Sequence, residues 1–127
     1  MNLLLDTHAL IWWFEESAAL SKRASSAIRN PDNVILISAV VGWELAIKFE
    51  TGKFRTASLV QDVEDIVQHE GFAELPISLD HAVRAGLLPT HHKDPFDRLL
   101  VAQAQALNAP IVSADAVLDH YGVQRLW

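Results

Sequence analysis

Leu3-Leu4-Leu5-Asp6-Thr7-His8-Ala9-Leu10 sets the class of the fold. Three consecutive leucines leave no polar side, so the run suits a strand covered on both faces, as in a parallel sheet. It stops at Asp6, and Thr7 is able to cap a helix continuing through Ile11-Trp12-Trp13-Phe14. An apolar strand passing through an acid into a helix is half of a β-α-β unit.

Working outward, the same order returns. Val34-Ile35-Leu36-Ile37 reads as a second buried strand, and Ser38 caps a helix to about Thr51 with Gly52 just past its end. Between the two strands, Ser21 starts a helix ending near Asn30, and Pro31-Asp32-Asn33 forms a turn. Helical spacing of Leu59, Val60, Val63, Ile66 and Val67 predicts a helix over 59–70, stopped by Gly71. Leu75-Pro76-Ile77 fits an edge strand, since proline cannot donate within a sheet. Ser78 or Asp80 opens a helix to about Leu88, and Asp94-Pro95 opens another over 96–107. Ile111-Val112-Ser113, a short helix over 116–121 and a last strand within 123–126 complete the chain. The alternation predicts an α/β fold, a three-layer α/β/α sandwich around a central parallel sheet.

At 127 residues the chain has the length of one domain, expected to span 1–127. Half of the residues are apolar and a fifth are charged, enough for a core and against disorder. The absence of cysteine excludes disulfides and thiolate metal sites and fits the cytoplasm. The N-terminus lacks a basic region ahead of its apolar run, and no apolar stretch is long enough to span a bilayer. A net charge of −6 argues against a protein that simply coats nucleic acid. It leaves room for a nuclease, because a cation held by acids reverses the local field.

Ligands of open parallel sheets gather beyond the carboxyl ends of the strands. Asp6, Glu44, Asp97 and Asp115 all fall near that edge in the predicted fold. Each has a plainer explanation. Asp6 and Asp115 can cap helices, and Glu44 can be a solvated helix residue. Asp97 can favour the positive end of the helix that Asp94 caps. Asp94 has the stronger capping role, which leaves Asp97 as the better ligand. Together the acids would repel one another unless a cation sat among them. A hard divalent ion such as Mg²⁺ prefers such oxygens, and it can polarise a phosphoryl oxygen and acidify a water. Glu44 or Asp115 is then available to orient the attacking water.

These residues carry a family resemblance. Leu4-Leu5-Asp6-Thr7-His8, Ser38 through Glu44-Leu45-Ala46-Ile47-Lys48, Asp94-Pro95-Phe96-Asp97-Arg98 and Ser113-Ala114-Asp115 resemble, in order and spacing, the PIN-domain proteins. The likeness is strongest to the VapC-type toxins of prokaryotic toxin–antitoxin pairs, and it covers nearly the whole chain. It implies a PIN-like sandwich, a Mg²⁺ or Mn²⁺ site and endoribonuclease activity on structured RNA. By motif, Asp6, Glu44, Asp97 and Asp115 match the family's acidic, metal-holding site, and Thr7 and Ser113 match its hydroxyl positions. A homodimer is implied too, with an antitoxin whose C-terminal segment covers the site. Lys48 and Arg98 are candidate phosphate contacts, or else i,i+4 partners of Glu44 and Asp94.

The six histidines lack the spacing of a zinc hydrolase, and His91-His92 reads as surface loop. Trp12 and Trp13 suit packing or a dimer face better than base stacking. No glycine-rich phosphate loop is present. Two other functions compete. An aspartyl phosphatase or receiver domain would be expected to offer paired acids after the first strand, where Asp6-Thr7-His8 stands. A catalytically inactive protein-binding module has no need of four acids.

Overall fold

A computed structural model describes residues 1–52 and 57–127. Five strands, β1 (Asn2–Leu5), β2 (Val34–Ser38), β3 (Ala73–Leu75), β4 (Ile111–Val112) and β5 (Arg125–Leu126), form one sheet in the order β3-β2-β1-β4-β5. Every pairing is parallel, with Leu3 opposite Ile35 and Leu5 opposite Val112. Leu3, Leu4 and Leu5 are wholly buried although their side chains alternate between faces. Helices therefore cover both sides of the sheet centre, as the unbroken leucine run requires.

Among the described residues six helices connect the strands: α1 (Thr7–Phe14), α2 (Lys22–Arg29), α3 (Ala39–Glu50), α4 (Ala57–His69), α5 (Leu79–Leu87) and α6 (Pro95–Leu107). A 3-10 helix, Ala116–Tyr121, joins β4 to β5. Caps explain where most of these begin. Ser21 accepts from the Ala24 amide at 3.0 Å, and Ser38 accepts from Val40 at 3.1 Å. Ser78 and His81 satisfy each other's backbone amides in a capping box. Replacing Ser21 by alanine is expected to cost about 1 kcal/mol in urea denaturation, with the acidic edge undisturbed because the cap lies on another element. At the far end of α4, Gly71 has φ +74, a left-handed conformation in which a side chain would be strained. Proline at 76 falls just after β3, an edge strand, where no ladder hydrogen bond is lost.

The connections run from β1 out to β3, then return to place β4 on the other side of β1. That reversal opens a crevice at the carboxyl ends of β1 and β4. Trp12 and Trp13 pack rather than project freely. Trp12 lies against Trp127 with ring centres 5.7 Å apart, and Trp13 lies between Phe72 and the Arg29 guanidinium. No helix among the described residues is long and apolar enough to cross a membrane.

Candidate active site

Asp6 directly follows β1 and holds two positions at once. One carboxylate oxygen accepts the Ala9 amide at 2.8 Å, making Asp6 the N-cap of α1. The expectation that Thr7 caps this helix is thus corrected. Thr7 is the first helical residue, and its hydroxyl donates to the Glu44 carboxylate. A helix needs only one cap here, and Asp6 stands one residue closer to the strand.

Glu44 is the sixth residue of α3 and only 3% exposed. Burying a carboxylate is costly unless donors compensate. Two do so: the Thr7 hydroxyl holds one oxygen, and the Lys48 ammonium, one helical turn on, holds the other. Lys48 is itself partly buried and lies 5.9 Å from the Phe96 ring centre.

Asp94 caps α6 through the Phe96 amide at 2.8 Å, with Pro95 at the first helical position. Asp97 sits in the first turn beyond it. Asp115 caps the 3-10 helix by accepting from Val117 at 3.0 Å. Its own amide donates to the buried Ser113 hydroxyl at 3.1 Å.

His92 links these last two acids, which the sequence did not foretell. Its Nε2 is 2.8 Å from an Asp115 oxygen and 3.1 Å from an Asp97 oxygen. Ligand atoms of His92, Asp97 and Asp115 all lie within 4.8 Å of one another. The expectation of a surface-loop role holds for exposed His91, stacked on His120, but not for His92. The available signal was position: two residues before a helix cap, a ring can fold back over the first turn.

Arg98 departs from both of its expected roles. Its guanidinium donates to four backbone carbonyls, of Ala85 (2.9 Å), Leu88 (2.9 Å), Pro89 (3.1 Å) and His92 (3.3 Å). Planar, with five donors in a fixed fork, it fastens the α5–α6 connection rather than pairing with Asp94.

Electrostatics tie the acids together. Burial pushes the Asp97 carboxyl up to about 7, neighbouring Asp94 adds to the rise, His92 opposes it, and Glu44 and Asp6 contribute further. Burial also raises Asp6, as does Glu44, against the Ser113 side chain, the Ala9 amide and His8. Although burial works against its charge, Lys48 is raised by Glu44, Asp94 and Asp97. Asp6, Glu44 and the turn holding Asp94 and Asp97, three separate segments, thus sense one another, and His92 and Asp115 lie beside Asp97. Their donor set, carboxylate oxygens with an adjacent imidazole, suits a hard divalent cation. The upward shifts reflect in part the repulsion that such a cation would relieve.

A model of the PIN domain family matches residues 3–124. The chain belongs to that family. This PIN domain is 33% identical over 105 residues to Ribonuclease VapC22 of Mycobacterium tuberculosis, covering 81% of this chain and 78% of the relative. In shape it is similar to a chain of VapBC2 from Rickettsia felis bound to a DNA fragment from its promoter (TM-score 0.70, 19% identity, 98% of this chain and 97% of that one). VapBC-1 from nontypeable Haemophilus influenzae is also similar (TM-score 0.66, 17% identity, 98% and 96% covered). At such identities the two structures speak for the fold, a parallel sheet flanked by helices.

Proposed function

We propose that this PIN domain is an endoribonuclease dependent on Mg²⁺ or Mn²⁺, acting in the cytoplasm as the toxin of a toxin–antitoxin pair. The observation that carries the reading is the setting of Asp97, which is raised to about 7, senses the charges of Asp6 and Glu44, and has a ligand atom within 4.8 Å of those of His92 and Asp115. The 33% identity to a ribonuclease supports RNA as the substrate.

Asp6, Glu44, Asp97 and Asp115 would hold the cation. When bound, it supplies charge neutralisation at the phosphoryl oxygens and lowers the pKa of water. The chain's own residues do the remaining work. The Ala9 amide orients Asp6, and Thr7 and Lys48 orient Glu44, so neither acid must be reorganised when RNA arrives. Asp115, with a side chain 37% exposed, has the most open face of the site and can accept a proton from the attacking water. Lys48, paired with Glu44, keeps positive charge beside the acids where a phosphate would approach, and the buried Thr7 and Ser113 hydroxyls hold Glu44 and the Asp115 amide. Arg98, committed to carbonyls, is not carried forward as a phosphate contact. The exposed Leu79, Val83 and Leu87, one turn apart along α5, form an apolar face of the kind a homodimer buries. An antitoxin segment over the acidic edge completes the reading.

The test is cleavage of a panel of structured RNAs. Chelation is expected to abolish it, Mg²⁺ or Mn²⁺ to restore it, and Ca²⁺ to support it poorly, being larger and less demanding in geometry. Undiminished cleavage in excess chelator would defeat the proposal. So would identical behaviour of wild type and Asp6→Asn, which would favour an inactive binding module.

A further inference from the structure

We infer that His92 is a positioning residue whose protonated Nε2 fixes the Asp97 and Asp115 carboxylates relative to each other. The inference rests on the metal-dependent reading of the site. Three contacts define the ring's state. The backbone amide of Asp94 donates to Nδ1 at 3.1 Å. A backbone amide can only donate, so Nδ1 is the acceptor, and the neutral ring carries its proton on Nε2. That proton points at Asp115 (2.8 Å), and an Asp97 oxygen lies 3.1 Å from the same nitrogen, close enough to feel the dipole of the N–H. At the main chain, the His92 amide donates to the Tyr121 hydroxyl at 2.8 Å, and that hydroxyl donates onward to Pro89 at 2.8 Å. The His92 carbonyl accepts from Arg98.

The two acids need such a bridge. Asp97 belongs to the first turn of α6 and Asp115 to the cap of the 3-10 helix, elements joined by neither a shared strand nor a shared turn. Their oxygens would drift apart by mutual repulsion without a donor between them. The other acids have donors of their own: Ala9 for Asp6, and Thr7 and Lys48 for Glu44. His92 donates to Asp115 and holds its Nε2 3.1 Å from Asp97, a positive dipole beside that acid. Hydrogen bonds to ligating carboxylates typically govern affinity as strongly as the ligands' own geometry. The tautomer also argues against His92 as a ligand. Ligation through Nε2 would move the proton to Nδ1, where the Asp94 amide already donates.

Two substitutions separate the ring's two ends. Glutamine places an amide nitrogen near the position of Nε2 and keeps the donor; asparagine places an oxygen near Nδ1 and keeps only the loop contact. Mn²⁺ binding to the full chain is measured by calorimetry without RNA. His92→Gln is expected to stay within about threefold of wild type, and His92→Asn to weaken binding by about tenfold or more. The reverse order would reduce His92 to a loop fastener, and wild-type affinity in both would deny it any role. Equal weakening in both would point to direct ligation. Independently of any variant, long-range ¹H–¹⁵N NMR of the cation-free wild type is expected to show the Nε2-protonated tautomer, and an Nδ1-protonated ring overturns the assignment. Failure of wild type itself to bind Mn²⁺ would remove the metal reading and this inference with it. Loss confined to the wrong variant would sink this inference alone.

Discussion

Replacing Asp97 by asparagine is expected to cut RNA cleavage severely while raising the melting temperature of the cation-free protein at pH 8. Both effects have one source. The fold raises the Asp97 carboxyl from 3.8 to about 7, so it favours the neutral acid over the anion. Stability from that preference is fully present below about pH 4 and is lost as pH rises through about 7. At pH 8 the folded wild type therefore carries a penalised charge, whereas asparagine has the shape of the neutral acid and no charge to penalise. The variant's advantage should shrink steadily as the pH is lowered towards 4. Activity moves the other way, because the anion is what a cation requires. A loss of at least about 100-fold is expected, the scale of one positioned charged or proton-transferring group. Added Mg²⁺ should raise the melting temperature of wild type more than that of the variant, and more at pH 8 than at pH 5.5. Equal melting of the two proteins at pH 8 in chelator would contradict the electrostatic account.

Arg98→Ala should be among the most destabilising single changes in the chain. A hydrogen bond with a charged donor contributes about 1.5–3 kcal/mol, and Arg98 makes four that are partly exposed and share one guanidinium, so they do not simply add. A loss of about 3–5 kcal/mol is expected in urea denaturation, a large share of the roughly 5–15 kcal/mol typical of a domain. Arg98→Lys should recover less than half of it, because a single ammonium cannot fork across four carbonyls. Cleavage should fall even where the variant remains folded, since the His92 carbonyl is among the four. A phosphate-contacting arginine would behave differently, leaving the denaturation midpoint unchanged and weakening RNA binding alone.

Much of this was legible in the sequence because single residues declare it locally. Leu3 to Leu5 are apolar without interruption and wholly buried, as a doubly covered strand requires. Val34 to Ile37 reads the same way, but in β2 Val34 is exposed and Leu36 only partly buried, because β2 lies farther from the sheet centre. Ser21, Ser38, Ser78 and Asp94 mark helix starts by their own chemistry. The edge at which acids gather follows from strand direction alone. What escaped depends on partners distant in sequence. Asp6 and Thr7 can both cap, and what divides their roles is Glu44, 37 residues away. His92 reaches Asp115 across 23 residues, with no motif to announce it. Arg98 bonds main-chain carbonyls, which leave no trace in side-chain patterning.

The strand order has a bearing on how the protein is made. β1 gains its second neighbour only when β4 pairs with it, and Asp115 lies beyond β4. A polypeptide whose β4 has yet to emerge therefore carries Asp6, Glu44 and Asp97 without Asp115, and the β1 edge is still open. Closure pairs Leu5 with Val112, a contact far apart in sequence and so intrinsically slow to form. If the four acids act together as proposed, hydrolytic capacity arrives only once β4 and Asp115 have joined the sheet edge, leaving a shorter nascent form harmless to the messenger that encodes it.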